Sequence, residues 1–213
     1  MSLADLERTL GRRLARVTTN AVVASPRLWR AFRWLMRAQF DRLAPTWDAM
    51  RRPDAFASLE QALDALPEAP ARVLDLGTGT GLAAFVAARR FPEAEVVGVD
   101  LAEAMLAQAR ANTPPELAGR VRFEAADAEA LPFERDSFQL VMLANMIPFF
   151  DELARVVAPG GQVVFAFSGG AGTPIYVSSE RLRSELEPRG FTEFADFDAG
   201  RGTALLARKA KPT

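Results

Sequence analysis

Histidine and cysteine are both missing from this chain, and the double absence excludes much chemistry. A cysteine nucleophile and any histidine-based triad are ruled out. The usual transition-metal ligands are gone, so no zinc site is expected, and only an oxygen-ligated cation such as Mg²⁺ stays open. No disulfide framework can form. Lysine is nearly absent, 2 residues against 24 arginines, a bias that reads as a GC-rich coding sequence. There is one tyrosine, Tyr176. No run of 18 apolar residues and no charged-apolar-small leader appears, so the expectation is a soluble, cytoplasmic protein. Net charge is −1, which gives no global pull toward nucleic acid. What is present is ordinary for a globular chain: 213 residues, 49% hydrophobic and 25% charged, enough for one sizeable domain and an extension.

The most informative stretch is Val73-Leu74-Asp75-Leu76-Gly77-Thr78-Gly79-Thr80-Gly81. A short apolar run ends in an acid, three glycines alternate, and the helix-like Leu82–Arg90 follows. This reads as strand, tight turn and helix. Glycine tolerates positive φ and lets a ligand approach the backbone, while the helix start leaves amide N–H groups free. A second strand, Glu95–Val99, ends at Asp100, at the spacing of an acid that holds a ribose diol. The dinucleotide fingerprint would put its third glycine at 82, where leucine stands. A nucleoside carrying an amino-acid arm needs no diphosphate cradle. For that ligand the glycine turn and Asp75 face the arm and Asp100 the ribose. Leu101 and Met105, on the next turn and helix, are placed to sandwich an adenine ring.

Strands and helices alternate over Arg72–Leu76, Leu82–Arg90, Glu95–Val99, Ala102–Asn112 and Val121–Ala125. Such alternation predicts βαβ units, a parallel sheet and helices on both faces. Asp75, Asp100 and Asp127 then fall at the carboxyl ends of strands, where ligands bind in such sheets. Further on, Asp136–Leu143 gives a fourth strand and Gln162–Phe167, after a Pro159-Gly160-Gly161 turn, a fifth. Ser168–Pro174 is a glycine-rich loop, Ser178–Glu187 a helix, and Phe191–Phe197 with Thr203–Arg208 a closing antiparallel pair.

Ahead of this core, residues 1–52 carry 11 arginines against 4 acids, net +7, leaving −8 for the rest. Leu3, Leu6, Leu10, Leu14 and Val17 repeat at helical spacing, with Arg12, Arg13 and Arg16 on a solvated face. Ser25-Pro26 starts a second helix over Arg27–Leu43. Its apolar side is Leu28, Phe32, Leu35, Met36, Phe40 and Leu43, and its basic side Arg27, Arg30, Arg33 and Arg37, with Trp34 among the arginines. Packing over the core is the expected use of this helix, with membrane contact and self-association as rivals. Asp54–Leu66 reads as the helix that leads into the first strand.

The glycine stretch closely resembles the first motif of class I S-adenosylmethionine-dependent methyltransferases, and the later segments extend the likeness across roughly Phe40–Arg208. Phe40-Asp41-Arg42-Leu43-Ala44-Pro45-Thr46-Trp47-Asp48 resembles the family's Phe-Asp-x-x-Ala-x-x-Tyr-Asp. Trp47 stands for the aromatic that closes over the cofactor, where a sulfonium would be drawn to its ring. Ala126-Asp127-Ala128 followed by Leu131-Pro132-Phe133 resembles Gly-Asp-Ala…Leu-Pro-Phe. That implies Asp127 near the adenine amino group and the Ala128 N–H near the ring. Asp136-Ser137-Phe138-Gln139-Leu140-Val141 resembles Asp-x-Phe-Asp-x-Val, with Gln139 for the second acid. Ala144 and Asn145 follow, where relatives contact the methionine arm or substrate. The connection from Asn145 to Arg155 looks trimmed, with Met146, Ile147, Phe149 and Phe150 as an apolar lining, or with the two phenylalanines simply packed in the core.

The resemblance implies a Rossmann-like seven-stranded, mostly parallel α/β sheet over 53–213, with 1–52 as a helical extension or lid. It implies S-adenosylmethionine as cofactor, held by Trp47, Asp75, Gly77, Thr78, Gly79, Gly81, Asp100, Leu101, Met105, Asp127, Ala128, Ala144 and Asn145. The acceptor is expected to be a small, partly apolar molecule. The Asn/Asp-Pro-Pro-Tyr/Phe signal for base methylation is absent, which argues against nucleic acid, although the basic extension keeps RNA or protein open. A non-catalytic nucleoside-binding module is the other alternative. Asp41, Asp48, Glu180 and Tyr176 are the available bases, none backed by a motif, so no catalytic residue and no metal ligand is assigned. A homodimer contact through the first helices stays open.

Overall fold

The computed structural model describes the backbone of residues 3–211 and the side chains of residue 13 and residues 15–211. Its strands are β1 Arg72–Leu76, β2 Glu95–Asp100, β3 Val121–Ala125, β4 Phe138–Ala144, β5 Val157–Phe167, β6 Phe191–Ala199 and β7 Gly202–Lys209. They form one sheet in the order β3-β2-β1-β4-β5-β7-β6. The pairs from β3 to β5 are parallel, and β7 runs antiparallel to both β5 and β6. The expected α/β class, strand count and closing hairpin are therefore observed. β1 and β3 begin and end where the sequence pattern puts them, because short runs of apolar residues between turn signals leave little choice.

Among the described residues seven α-helices accompany the sheet: α1 Leu3–Ala24, α2 Trp29–Leu43, α3 Ala57–Asp64, α4 Leu82–Arg90, α5 Glu103–Ala111, α6 Phe150–Val156 and α7 Ser179–Leu186. Side chains alternate across the strands with period two. Val73, Val96, Leu140, Met142 and Val164 pack with Leu59 and Leu63 of α3, Phe85 of α4 and Leu106 of α5. Leu74, Val97, Val141, Val163 and Phe165 pack on the opposite face with Phe150 and Leu153 of α6, Leu182 and Leu186 of α7, and Trp29. Burying each of these aliphatic or aromatic side chains stabilises the fold by about 1.5–3 kcal/mol.

Several expectations change. The Asn145–Arg155 connection holds a helix, α6, that the sequence reading left out. Seven residues are too few for periodicity to declare a helix, yet Phe150, Leu153 and Val156 are buried on one side. Ile147 is core rather than pocket lining, and Phe149 and Phe150 take the core alternative, each exposed by only 3–4%. The Pro159-Gly160-Gly161 stretch lies inside β5. Pairing jumps from Phe138–Val157 to Leu140–Gln162, so 158–161 bulge outward, with Gly160 at φ +76°.

The N-terminal helices differ most. Leu28 and Leu35, expected to be buried, are 43% and 41% exposed, and Val17 is 65% exposed. In α1, Thr18, Thr19 and Val22 face inward instead. Leu3, Leu6, Leu10, Leu14 and Arg12 lie outside the described side chains. In α2 the buried stripe is centred on Trp29, with Phe32 and Met36 packed beside it. The helix is rotated toward Trp29 because that residue has a polar partner in the core domain. Arg16, expected to be solvated, donates to the carbonyls of Ala171 and Thr173, both at 2.8 Å, and ties α1 to the glycine-rich loop after β5.

Candidate functional site

The segment between β1 and α4 turns on three left-handed glycines, Gly77, Gly79 and Gly81, at φ +74°, +54° and +85°. A side chain at Gly77 would also collide with Met146, whose Sδ lies 2.6 Å from the position a Cβ would take. The N–H groups of Gly77 and Thr78 both donate to the Val99 carbonyl at 2.9 Å, so the turn is pinned to β2. The Gly79 N–H donates to Asp100 Oδ2 at 2.9 Å, and the Ala102 N–H to Asp100 Oδ1 at 2.9 Å. One carboxylate thus joins the turn to the start of α5. Burial moves the Asp100 carboxyl above its ordinary pKa, against the pull of the Ala102 and Gly79 amides.

Asp75 sits under the turn and is fully buried. The Thr78 hydroxyl donates to its Oδ2 at 2.7 Å, while Oδ1 makes no hydrogen bond of good geometry, although the Ala84 amide acts on the carboxylate. Burial pushes this carboxyl up to about 6, opposed by the Thr78 hydroxyl and the Ala84 amide.

The segment 40–52 covers the turn. Trp47 stacks edge-on against Phe40 with centroids 5.5 Å apart, and its Nε1 lies 3.6 Å from the Cβ position of Gly79. Asp48 Oδ1 accepts from Thr80 Oγ1 at 2.6 Å and from Arg51 Nη2 at 3.2 Å, and its Oδ2 accepts from Asn112 at 3.2 Å. Asp41 accepts from the Ala104 N–H at 2.9 Å. Both acids, candidate bases in the sequence, are spent on fastening this segment to the turn and to α5.

Met105 is buried among Ala44, Phe40, Leu43 and Trp47, and Leu101 packs against the opposite core. The two side chains belong to different clusters, not to one open slot. At the end of β3, Asp127 Oδ1 accepts from Trp29 Nε1 at 2.7 Å and from the Glu129 N–H at 3.1 Å, and its Oδ2 accepts from Arg33 at 3.0 Å. Ala128 is buried beside it. Neither Trp29 nor Arg33 carries a motif, and only the tertiary contact reveals them. Ala144 ends β4. Asn145, at φ +55°, accepts the Ser168 N–H and hydroxyl at 2.9 and 3.2 Å, so it fixes the end of β5 rather than standing free.

Tyr176 rests edge-on against Phe167. Burial and the neighbouring Glu180, Asp198 and Asp196 raise its pKa, which keeps the phenol neutral and unsuited to act as a base. Together these residues line a cleft of about 310 Å³ between α7 and the β6–β7 hairpin, with Leu205 and Thr203 on its floor. The cleft opens at the same end of the sheet as the glycine turn, because β6 runs parallel to β5 and β7 opposes both. Among the described residues no group of three or more acidic side chains converges as metal ligands would, and no helix is long and apolar enough to cross a membrane.

Comparison with known proteins bears on the family and the fold. Residues 73–161 match a family described as methyltransferase domain. Over 138 residues the chain is 44% identical to a demethylmenaquinone methyltransferase of Thermus thermophilus, covering 59% of this chain and 62% of that protein. Over 143 residues it is 39% identical to a malonyl-[acyl-carrier protein] O-methyltransferase of Halorhodospira halophila, covering 63% and 48%. The matched region thus spans about half to three-fifths of these relatives. Among solved structures, the [4+2]-cyclase SpnF superimposes with a TM-score of 0.65 at 17% identity, covering 83% of this chain and 96% of that one. That likeness shows the fold alone, here in a protein named for a different reaction.

Proposed function

We propose, since this chain belongs to the class I S-adenosylmethionine-dependent methyltransferase family, that it transfers a methyl group from S-adenosylmethionine to a small, partly apolar acceptor. The observation that carries this is the left-handed glycine turn, with Asp75 buried beneath it and Asp100 clamped between the turn and α5. The donor set fits the cofactor: a buried acid with an unanswered oxygen suits an ammonium group, and glycines 77–81 admit a ligand to the backbone. In this reading Asp100 holds the ribose hydroxyls through the lone pairs its two amide contacts leave free. Trp47 covers the sulfur, and Leu101, Asp127 and Ala128 flank the base, with Met105 packed behind Trp47. Ala144 and Asn145 form the wall between the two ligands.

S-adenosylmethionine, when bound, supplies an activated methyl on a sulfonium. The chain's own part is to align the acceptor and exclude water. Asp41 and Asp48 are engaged, Tyr176 is neutral and Glu180 lines the separate cleft beside α7, so we assign no side chain as general base. The acceptor class rests on relatives named for a quinone precursor, a malonyl carrier protein and trans-aconitate. RNA or protein acceptors, and a binding module without catalysis, are the alternatives. Residues 1–52 act as the lid over 53–213, in a protein we expect to work in the cytoplasm. The outward face of α2 around Trp34 is where a second copy would dock.

Calorimetric titration with S-adenosylmethionine, S-adenosylhomocysteine and NAD tests this reading. Saturable binding of the first two, lost in Asp100→Ala, is expected. Binding of NAD alone, or of none of the three, overturns it.

A further inference from the structure

The turn offers a second unanswered polar group besides Asp75. Arg51 follows a single 3₁₀ turn, Asp48–Met50, and its side chain folds inward, 19% exposed. The guanidinium lies over the Phe56 ring at 5.0 Å. Nη2 donates to Asp48 Oδ1 at 3.2 Å and to Thr80 Oγ1, inside the glycine turn, at 3.4 Å. Nη1 is buried with no hydrogen-bond partner.

A guanidinium donates in a fork, and its strong partners are carboxylates that take both prongs. Asp48 cannot serve as that partner, because its oxygens are already divided among Thr80, Asn112 and a single Arg51 nitrogen. A buried N–H without an acceptor is costly in a finished structure, and each such group calls for an explanation. Asp75 is close enough to act on the Arg51 charge and presents the mirror deficiency, a buried carboxylate oxygen without a well-placed donor. One nitrogen of the Arg51 cation lacks an acceptor, one oxygen of the Asp75 anion lacks a well-placed donor, and both border the same turn. A group that carries an ammonium and a carboxylate on one carbon answers both.

We propose that Arg51 Nη1 holds the α-carboxylate of the amino-acid arm of the ligand on the glycine turn. Arg51 thereby makes the site select a nucleoside that carries the arm over one that lacks it. This rests on the reading of the turn given above and adds a positioning residue that lies outside the family's glycine motif. It gives a binding role to Arg51, for which the sequence offered no motif.

The test is calorimetry on the full chain with two probes that differ only in the arm, S-adenosylhomocysteine and 5′-methylthioadenosine. Wild type is expected to prefer the first. Arg51→Met should weaken S-adenosylhomocysteine by about 10–100-fold, the range for a charge-assisted contact, while 5′-methylthioadenosine changes less than about 3-fold. Arg51→Lys, which keeps the charge but loses the fork, should fall between, and it carries the test if the methionine variant does not fold. Equal weakening of both probes would show that Arg51 only braces the turn, and unchanged binding of both would show that it is idle. Either result overturns the proposal alone. A wild type that binds neither probe overturns the reading of the turn and the proposal with it.

Discussion

The carboxyl ends of β1 and β3 treat their acids in opposite ways. At the β1 end Asp75 is fully buried, one oxygen lacks a well-placed donor, and the nearby Arg51 has a nitrogen without an acceptor. At the β3 end Asp127 is half-buried and its two oxygens take donors from Trp29, Glu129 and Arg33. The first end keeps unpaired polar groups that a ligand can satisfy. The second is satisfied by the protein itself, through α2. A ligand arriving there must displace protein donors, whereas at the first end it gains contacts the free protein lacks. The N-terminal helices therefore serve the two ends differently, completing one and competing for the other.

The difference can be broken most severely at the turn itself. Gly77→Ala forces a side chain into the left-handed region and against Met146. Together these should cost about 3 kcal/mol or more in urea denaturation and abolish binding of S-adenosylhomocysteine. A loss below about 1 kcal/mol would mean that the turn is looser than its geometry.

Next comes the charge beneath the turn. Between 3.8 and about 6 the folded chain holds a proton on Asp75 that the unfolded chain has released. Stability then falls as pH rises through this window and is level above it. At pH 8 the buried charge costs about 3 kcal/mol. Asp75→Asn should recover much of that while weakening S-adenosylhomocysteine by roughly 10-fold. Urea midpoints at pH 4, 6 and 8 check the sign. A variant less stable than wild type at pH 8 would refute it.

At the other end the effect is smaller. Trp29→Phe keeps an aromatic ring against Phe149, where the rings now meet edge-on at 5.4 Å, but removes the donor to Asp127. Stability should drop by about 1 kcal/mol while affinity for adenosine ligands rises several-fold, because a competitor is gone. Reduced affinity would make Trp29 part of the binding site rather than its rival. The least effect is expected from Arg30→Ala. Its 3.6 Å pair with Glu129 is three-quarters exposed on the arginine side, and the change should stay within about 0.5 kcal/mol.

Much of the frame was legible from residues alone. β1, the glycine turn and α4 are local objects. Apolar runs, glycines and flanking polar residues carry their own boundaries, so Arg72–Leu76 and Leu82–Arg90 were read to the residue. α6 was not, because it is too short to show a period. Leu28 and Leu35 were read as buried, since an apolar arc says how wide a helix face is and not which part of it meets the core.

The sequence by itself determined the alternation of strands and helices, the acids at three strand ends and the exclusion of cysteine and histidine chemistry. These follow from local periodicity and composition. The tertiary structure alone decided which of those acids finds a partner. Trp29 reaches Asp127 across 98 positions and Thr80 reaches Asp48 across 32, and hydrogen bonds over such distances leave no trace in local pattern. Whether a buried charge is answered or left open depends on what the folded chain brings to it.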